Sequence, residues 1–102
     1  MHPVFAALAD PTRRELLERL GRDGPATATV LADHLGVSRQ AAAKHVDVLV
    51  GAGLATRTRH GRETHITAEL DALGSVTAWI DGVRGDWRRR LDLLADSLEG
   101  DR

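Results

Sequence analysis

Apolar residues recur along most of this chain at spacings of three and four, the period of an α-helix that is buried on one side. Segments containing Gly or Pro interrupt the recurrence and divide it into five predicted helices, which span 3–9, 11–21, 28–35, 39 to about 50, and 70–98. Residues 54–59 and 63–67 are β-prone and flank a His-Gly-Arg turn, which predicts a short hairpin. We therefore expect a single domain over residues 1–102, mainly α with one small β-hairpin.

Residues 28–50 have the composition of a helix-turn-helix unit. The first helix ends at Gly36, where a left-handed C-cap is expected, and Ser38 caps the second helix. Val37 in the turn is an apolar plug that locks the two helices together. The second helix is polar on its outer face near its start, as a helix that enters the major groove must be. An ordinary helical hairpin with a solvated polar face is the alternative.

The distribution of charge favours DNA binding over that alternative. The formal net charge is −1, yet residues 39–62 carry five basic side chains against Asp47 alone. Three of these are arginines in the hairpin, and such a hairpin beside a recognition helix acts as a wing that reaches the DNA backbone or minor groove. We expect this wing to cover residues 54–67. The expected DNA-binding residues are Ser38, Arg39, Gln40, Ala43, Lys44, Arg57, Arg59, His60, Gly61 and Arg62.

The chemistry of two recognition-helix residues leaves their roles open. Arg39 is suited to guanine and Gln40 to adenine, but both side chains also hold phosphates. The small side chain of Ala43 permits close approach to the duplex. The sequence therefore predicts the surface without separating base contacts from phosphate contacts.

The last predicted helix, 70–98, is too long for the domain it belongs to. At 1.5 Å per residue it spans about 40 Å, whereas a compact domain of this size is about 30–35 Å across. Its apolar stripe must extend past its own core and needs a partner. We expect Trp79 and Trp87 at a dimer interface, with an effector pocket as the alternative. The run Arg88–Arg90 is expected to be a solvated face that pairs with nearby acids, the alternative being contact with flanking DNA.

Several short motifs occur together over nearly the whole chain. They are Asp10-Pro11-Thr12-Arg13-Arg14 with Leu16-Leu17, Leu31-Ala32, Leu35-Gly36-Val37-Ser38, Arg39-Gln40, Lys44-His45, Leu49, Ala52-Gly53-Leu54 and Gly61-Arg62-Glu63. In this combination the chain resembles the ArsR/SmtB family of winged helix-turn-helix repressors. The spacing of Trp79, Trp87, Leu91 and Leu94 resembles the subgroup of that family that lacks metal sites.

The resemblance implies a homodimer that is built from the first and last helices and represses its own operon. The interface residues expected on this basis are Val4, Phe5, Leu8, Trp79, Val83, Trp87, Leu91 and Leu94.

Metal sensing is the activity that the resemblance first suggests, and we do not expect it here. Cysteine is absent, which excludes thiolate metal sites and disulfides. The family's other common site needs Asp and His on the last helix, which contains no His, and the five His of the chain show no ligand spacing. We expect neither a metal nor another cofactor. His45 is expected to pack between the recognition helix and the wing.

The sequence thus favours a homodimeric transcriptional repressor that binds an inverted repeat in double-stranded DNA. A winged-helix module that binds proteins is one alternative. An enzyme is the other, and the sequence offers neither a nucleophile–base constellation nor a phosphate-cradling Gly loop for it. No apolar run approaches the about 20 residues of a membrane span, and none resembles a signal peptide, so we expect a bacterial cytoplasmic protein without a membrane partner.

Overall fold

The computed structural model describes residues 3–100, which form five α-helices and one antiparallel hairpin. In chain order the elements are α1 (Pro3–Leu8), α2 (Pro11–Asp23), α3 (Ala28–Leu35), α4 (Arg39–Gly51), β1 (Ala55–His60), β2 (Glu63–Ala68), a 3₁₀ turn (Leu70–Ala72) and α5 (Leu73–Gly100). The predicted fold class, mainly α with a small β-hairpin, is confirmed. No helix in the described part of the chain is both long enough and apolar enough to cross a membrane.

The junction between α1 and α2 is held by polar side chains of the Asp-Pro-Thr-Arg-Arg motif. The carboxylate of Asp10 accepts hydrogen bonds from two backbone amides in the first turn of α2, at 2.8 and 3.1 Å, and so caps this helix. Arg13 Nε donates to the carbonyl of Ala7 at 2.7 Å, and Arg14 Nη1 donates to that of Leu8 at 2.8 Å. These bonds satisfy the carbonyls that the end of α1 leaves without helical partners. The motif therefore fixes α1 against α2.

The core lies where α2, α3 and α4 meet the base of the hairpin. Its largest fully buried side chains are Leu16, Leu31, Val46, Leu49 and Leu54. Val4 also belongs to this core, with 2 % of its surface exposed. The expectation that Val4 lies in a dimer interface is therefore corrected, because α1 turns this side chain inward onto its own domain.

The hairpin is fixed to the body at its base, while its tip projects into solvent. Ala26, in the segment between α2 and α3, forms two backbone hydrogen bonds with Ile66 of β2, at 3.1 and 2.8 Å. Ile66 is 2 % exposed. The two strands are joined by a two-residue turn in which Gly61 has a φ of 62°, a conformation that glycine adopts without steric cost. Two strands alone are barely stable in water, so these anchors maintain the hairpin.

The helix α5 leaves the body after its first turns. Leu73 and Val76 are packed against the core, but the apolar residues that follow are exposed, among them Trp79 at 58 % and Trp87 at 61 %. The molecule measures 73 × 25 × 23 Å and has a radius of gyration of 19.6 Å, against about 13 Å for a compact domain of this length. The predicted overhang of the apolar stripe is confirmed.

The start of the last helix differs from the sequence prediction. Residues Leu70–Ala72 form a 3₁₀ turn instead of the first turn of a continuous α-helix. The amide of Glu69 donates to the carbonyl of Leu54 at 2.8 Å, which ties the chain to the body immediately before this turn. The body and α5 are therefore joined by a short, tighter turn.

Candidate nucleic-acid interface

The helix α4 presents a polar face to solvent near its start. Ser38 caps it, because its Oγ accepts a hydrogen bond from the amide of Ala41 at 3.0 Å. Arg39, Gln40 and Lys44 are exposed, whereas the opposite face of α4 is buried in the core. The helix-turn-helix geometry thus places the polar residues of the predicted recognition helix on one accessible surface.

The tip of the hairpin is the second part of the interface. His60, Gly61 and Arg62 are all exposed there. Arg59 Nε donates to the carbonyl of Gly61 at 3.0 Å, which braces the turn. The ring of His60 packs edge-on against that of His65, with 4.9 Å between the ring centroids. The tip is thus an ordered, cationic projection.

A cleft of about 550 Å³ separates the start of α4 from the hairpin. Arg39 and Arg62 line it, together with residues 27–29 and 63–64. The backbone amides of the first turn of α3 have no partner within the helix, and the positive end of the helix dipole lies there. Thr27 caps α3, as its position directly before a helical period predicts, because its Oγ1 accepts from the amide of Val30 at 3.3 Å. It was not among the residues expected to bind DNA.

The basic residues of this surface differ in whether a carboxylate neutralises them. Within residues 3–100, no carboxylate lies at ion-pair distance from the exposed side chains Arg39, Lys44, Arg59 and Arg62. The exception is Arg57, whose Nη2 donates to the carboxylate of Asp47 on α4.

Arg57 Nη2 also donates to the carbonyl of Ala43, at 3.5 Å. Ala43 itself is half-buried on α4. Sequence reasoning noted Asp47 as the single acid of this basic segment but gave it no role at the interface. Of the five cations in residues 39–62, four are therefore free to meet an anionic ligand.

The residues expected at a dimer interface divide into two groups. Phe5 and Trp79 contact each other edge to face within the chain, with ring centroids 5.3 Å apart, beside an apolar hollow of about 300 Å³. Leu8 is partly buried against the core. Despite its contact with Phe5, Trp79 is exposed on α5, as are Val83, Trp87, Leu91 and Leu94.

Two further sequence expectations concern charged and histidine side chains. In the run of three arginines on α5, Arg89 pairs with Asp86, as a solvated face predicts. His45 is half-buried on α4, and its packing between the recognition helix and the wing stays a prediction. Its charge contributes to lowering the pKa of Asp10, after the larger effect of the hydrogen bond from the Arg13 amide. In residues 3–100, no three His, Asp or Glu side chains are grouped as metal ligands.

Comparison with known proteins places this arrangement among regulators of transcription. The model of a helix-turn-helix domain family matches residues 8–58, half of the chain. The transcriptional repressor SdpR of Bacillus subtilis is 30% identical over 80 residues, which cover 78% of this chain and 88% of SdpR.

Solved structures show the same fold over most of the chain. An ArsR-like transcriptional regulator from Rhodococcus sp. RHA1 superposes with a TM-score of 0.80 and 40% identity, over 90% of this chain and 86% of that one. A homodimeric winged helix-turn-helix DNA-binding domain from Mycobacterium bovis, a possible ArsR-family regulator, shares the fold with a TM-score of 0.66 at 21% identity, over 82% of this chain and 77% of that one.

Proposed function

Since the chain belongs to the ArsR family of winged helix-turn-helix transcriptional regulators, we propose that it is a homodimeric bacterial repressor that binds an inverted-repeat operator. Members of this family are DNA-binding regulators and not enzymes. The observation that carries the proposal is the single surface formed by the polar start of α4 and the cationic tip of the hairpin, with a cleft between them.

On this surface α4 enters the major groove with its N-terminal turns. Arg39, Gln40 and Lys44 then face base edges and phosphates, with Ser38 and the small Ala43 at close approach. In the proposed complex a DNA phosphate enters the cleft that Arg39 and Arg62 line, near the positive end of α3. The four unpaired cations support this assignment, because phosphate neutralisation supplies most of the affinity of such complexes.

The hairpin tip holds the flanking backbone. Arg59 and Arg62 supply the charge, while His60 and Gly61 form the turn that brings them to the duplex. The backbone anchors between Ala26 and the hairpin base support a fixed wing, which meets DNA without a large ordering cost.

The second copy is proposed from the exposed stripe of α5. The apolar side chains of this stripe are Trp79, Ile80, Val83, Trp87, Leu91, Leu94 and Leu98, each between 42 and 65 % exposed. The projecting part of α5 contains two glycines, Gly82 and Gly85, and gains little from intrinsic helix propensity, so packing must stabilise it. A second α5 offers the same stripe in a closed, two-fold arrangement. The homodimeric Mycobacterium bovis domain is consistent with this assembly.

We further propose that repression in the cytoplasm does not depend on a metal. The chain has no cysteine, and α5 carries no histidine. Bound protein then blocks polymerase until it dissociates.

Footprinting on the DNA upstream of the chain's own gene tests the proposal. We expect protection of an inverted repeat, with and without added Zn²⁺, Cd²⁺ or Ni²⁺, and an affinity that falls steeply with salt. Arg62→Ala should weaken binding to all sequences about equally and lower the salt slope by about 1, whereas Gln40→Ala should relax the preference at one base position. Arg22→Ala, at an exposed arginine of α2 outside this surface, is the control. Unchanged binding by both Arg62→Ala and Gln40→Ala would show that the recognition surface is misplaced.

A further inference from the structure

We propose that Arg57 is a positioning residue, which clips the wing to the recognition helix and neutralises Asp47, and that it is not itself a phosphate contact. The inference rests on the proposed DNA-binding function, which it makes more specific. It assigns different roles to the three arginines of the wing, which the sequence had presented as equivalent.

The strand register explains why Arg57 points towards α4. Cross-strand partners lie on the same face of a hairpin. Arg57 pairs with Ile66, whose side chain is buried in the core, so the Arg57 side chain starts from the core-facing side of β1. From there its guanidinium reaches the carboxylate of Asp47 and the carbonyl of Ala43, both on α4. One side chain thus bridges the two elements that are proposed to hold DNA.

The position of Asp47 explains why this bridge matters for binding. Gln40, Lys44 and Asp47 are spaced i, i+4 and i+7, which places them on one face of α4. Asp47 therefore lies on the face proposed to enter the major groove. It is also the one acidic residue in the segment 39–62. An unpaired carboxylate there would repel phosphates. Arg57 removes this repulsion by pairing with it, with 37 % of its own side chain and 64 % of that of Asp47 exposed.

The pairing of Arg57 with Asp47 predicts a measurable difference in function between Arg57 and its neighbour Arg59. Arg59 lies on the same face of the hairpin two residues further out, and within residues 3–98 its guanidinium is bonded only to the carbonyl of its own turn. Arg59 therefore keeps its full charge for phosphate. Because the two arginines lie on one strand and share one chemistry, Arg59 is a matched control for Arg57.

A double-mutant cycle tests the assignment, with the full chain and the duplex that the wild-type chain selects from a random-sequence pool. Arg57→Gln should weaken binding about five-fold, because Asp47 is left unpaired. In an Asp47→Asn background, Arg57→Gln should reduce the affinity for the duplex by less than about two-fold, since no carboxylate is left to neutralise. Arg59→Gln should weaken binding equally in both backgrounds and lower the salt slope by about 0.9, the value for one lost phosphate contact.

Two results would overturn the proposal. One is an Arg57→Gln loss that persists undiminished in the Asp47→Asn background together with a salt slope lowered by about 0.9, which would make Arg57 a phosphate contact. The other is a changed base preference in Asp47→Asn with no dependence on Arg57, which would make Asp47 a reader of cytosine.

A measurement without DNA tests the clip separately from the proposed function. Hydrogen exchange of the backbone amides in residues 55–60 should be about two-fold faster in Asp47→Asn than in the wild type, while amides of α2 are unchanged. Unchanged exchange in β1 would overturn the clip. If the wild-type chain selects no duplex, the proposed function fails, and the exchange comparison still decides whether Arg57 holds the wing.

Discussion

Trp87→Ala should convert the dimer into a monomer at concentrations where the wild-type chain is fully paired. Trp87 is 61 % exposed in the single chain. A tryptophan buries up to about 250 Å², so covering the exposed part removes about 150 Å² from water. At about 25 cal/mol per Å² this is worth up to about 4 kcal/mol in each protomer. A symmetric dimer contains two copies of Trp87. If each copy contributes only half of this upper value, about 2 kcal/mol, the two together still stabilise the dimer by about 4 kcal/mol. The dissociation constant should then rise about 1,000-fold.

Sedimentation velocity over a dilution series measures this shift. Leu93→Ala is the control, because Leu93 is even more exposed, at 69 %, but lies about 120° around α5 from Trp87, away from the centre of the stripe. It should leave the dissociation constant unchanged. A wild-type chain that stays monomeric at high concentration would refute the proposed dimer. A Trp87→Ala chain that dimerises like the wild type would refute the placement of the interface on this stripe.

Three further predictions concern the stability of the body and are measured by urea unfolding. Leu16→Ala should lower the free energy of unfolding by about 2–5 kcal/mol, because Leu16 is fully buried; a loss below about 1 kcal/mol would contradict the described core. Arg13→Ala should lower the free energy of unfolding by about 1–3 kcal/mol, since it leaves carbonyls at the end of α1 without donors. The control is Arg22→Ala, which removes an exposed pair with Asp23 and should lower it by less than about 0.5 kcal/mol. Hydrogen bonds to the carboxylate, chiefly from the Arg13 amide, lower the pKa of Asp10 below its ordinary value of 3.8. The stability that this charge adds is present above pH 3.8 and is lost as the pH falls through the lowered pKa, so the wild-type advantage over Asp10→Asn should vanish in that range; an advantage that persists at lower pH would contradict the capping role.

The sequence was informative wherever local chemistry decides the structure. The caps at Asp10 and Ser38 and the left-handed Gly36, with a φ of 66°, follow from the preferences of single residues. The excess length of the last helix followed from its periodicity and rise alone. These features depend on residues that are close together in the chain, so a pattern in the sequence carries them.

The features that the sequence did not predict depend on contacts between distant segments. Whether Val4 faces its own core or a partner is set by how α1 is tilted on the body, and the Arg13 and Arg14 bonds set that tilt. The Arg57–Asp47 pair requires the hairpin register and the hairpin's approach to α4 together. Neither of these can be read from spacing along the chain.

The 3₁₀ turn between β2 and α5 has a mechanical consequence. If α5 is held in a dimer, the orientation of the rest of each protomer is set by this turn and by the packing of Leu73 and Val76 against the core. The rest of the protomer is about 25 Å across, so a swing of about 10° at this turn displaces its far edge by about 4 Å. That displacement exceeds the rise of one base pair, about 3.4 Å. In a dimer held by α5, the spacing of the half-sites that the two copies contact would therefore depend on how firmly residues 70–76 hold the rest of each protomer.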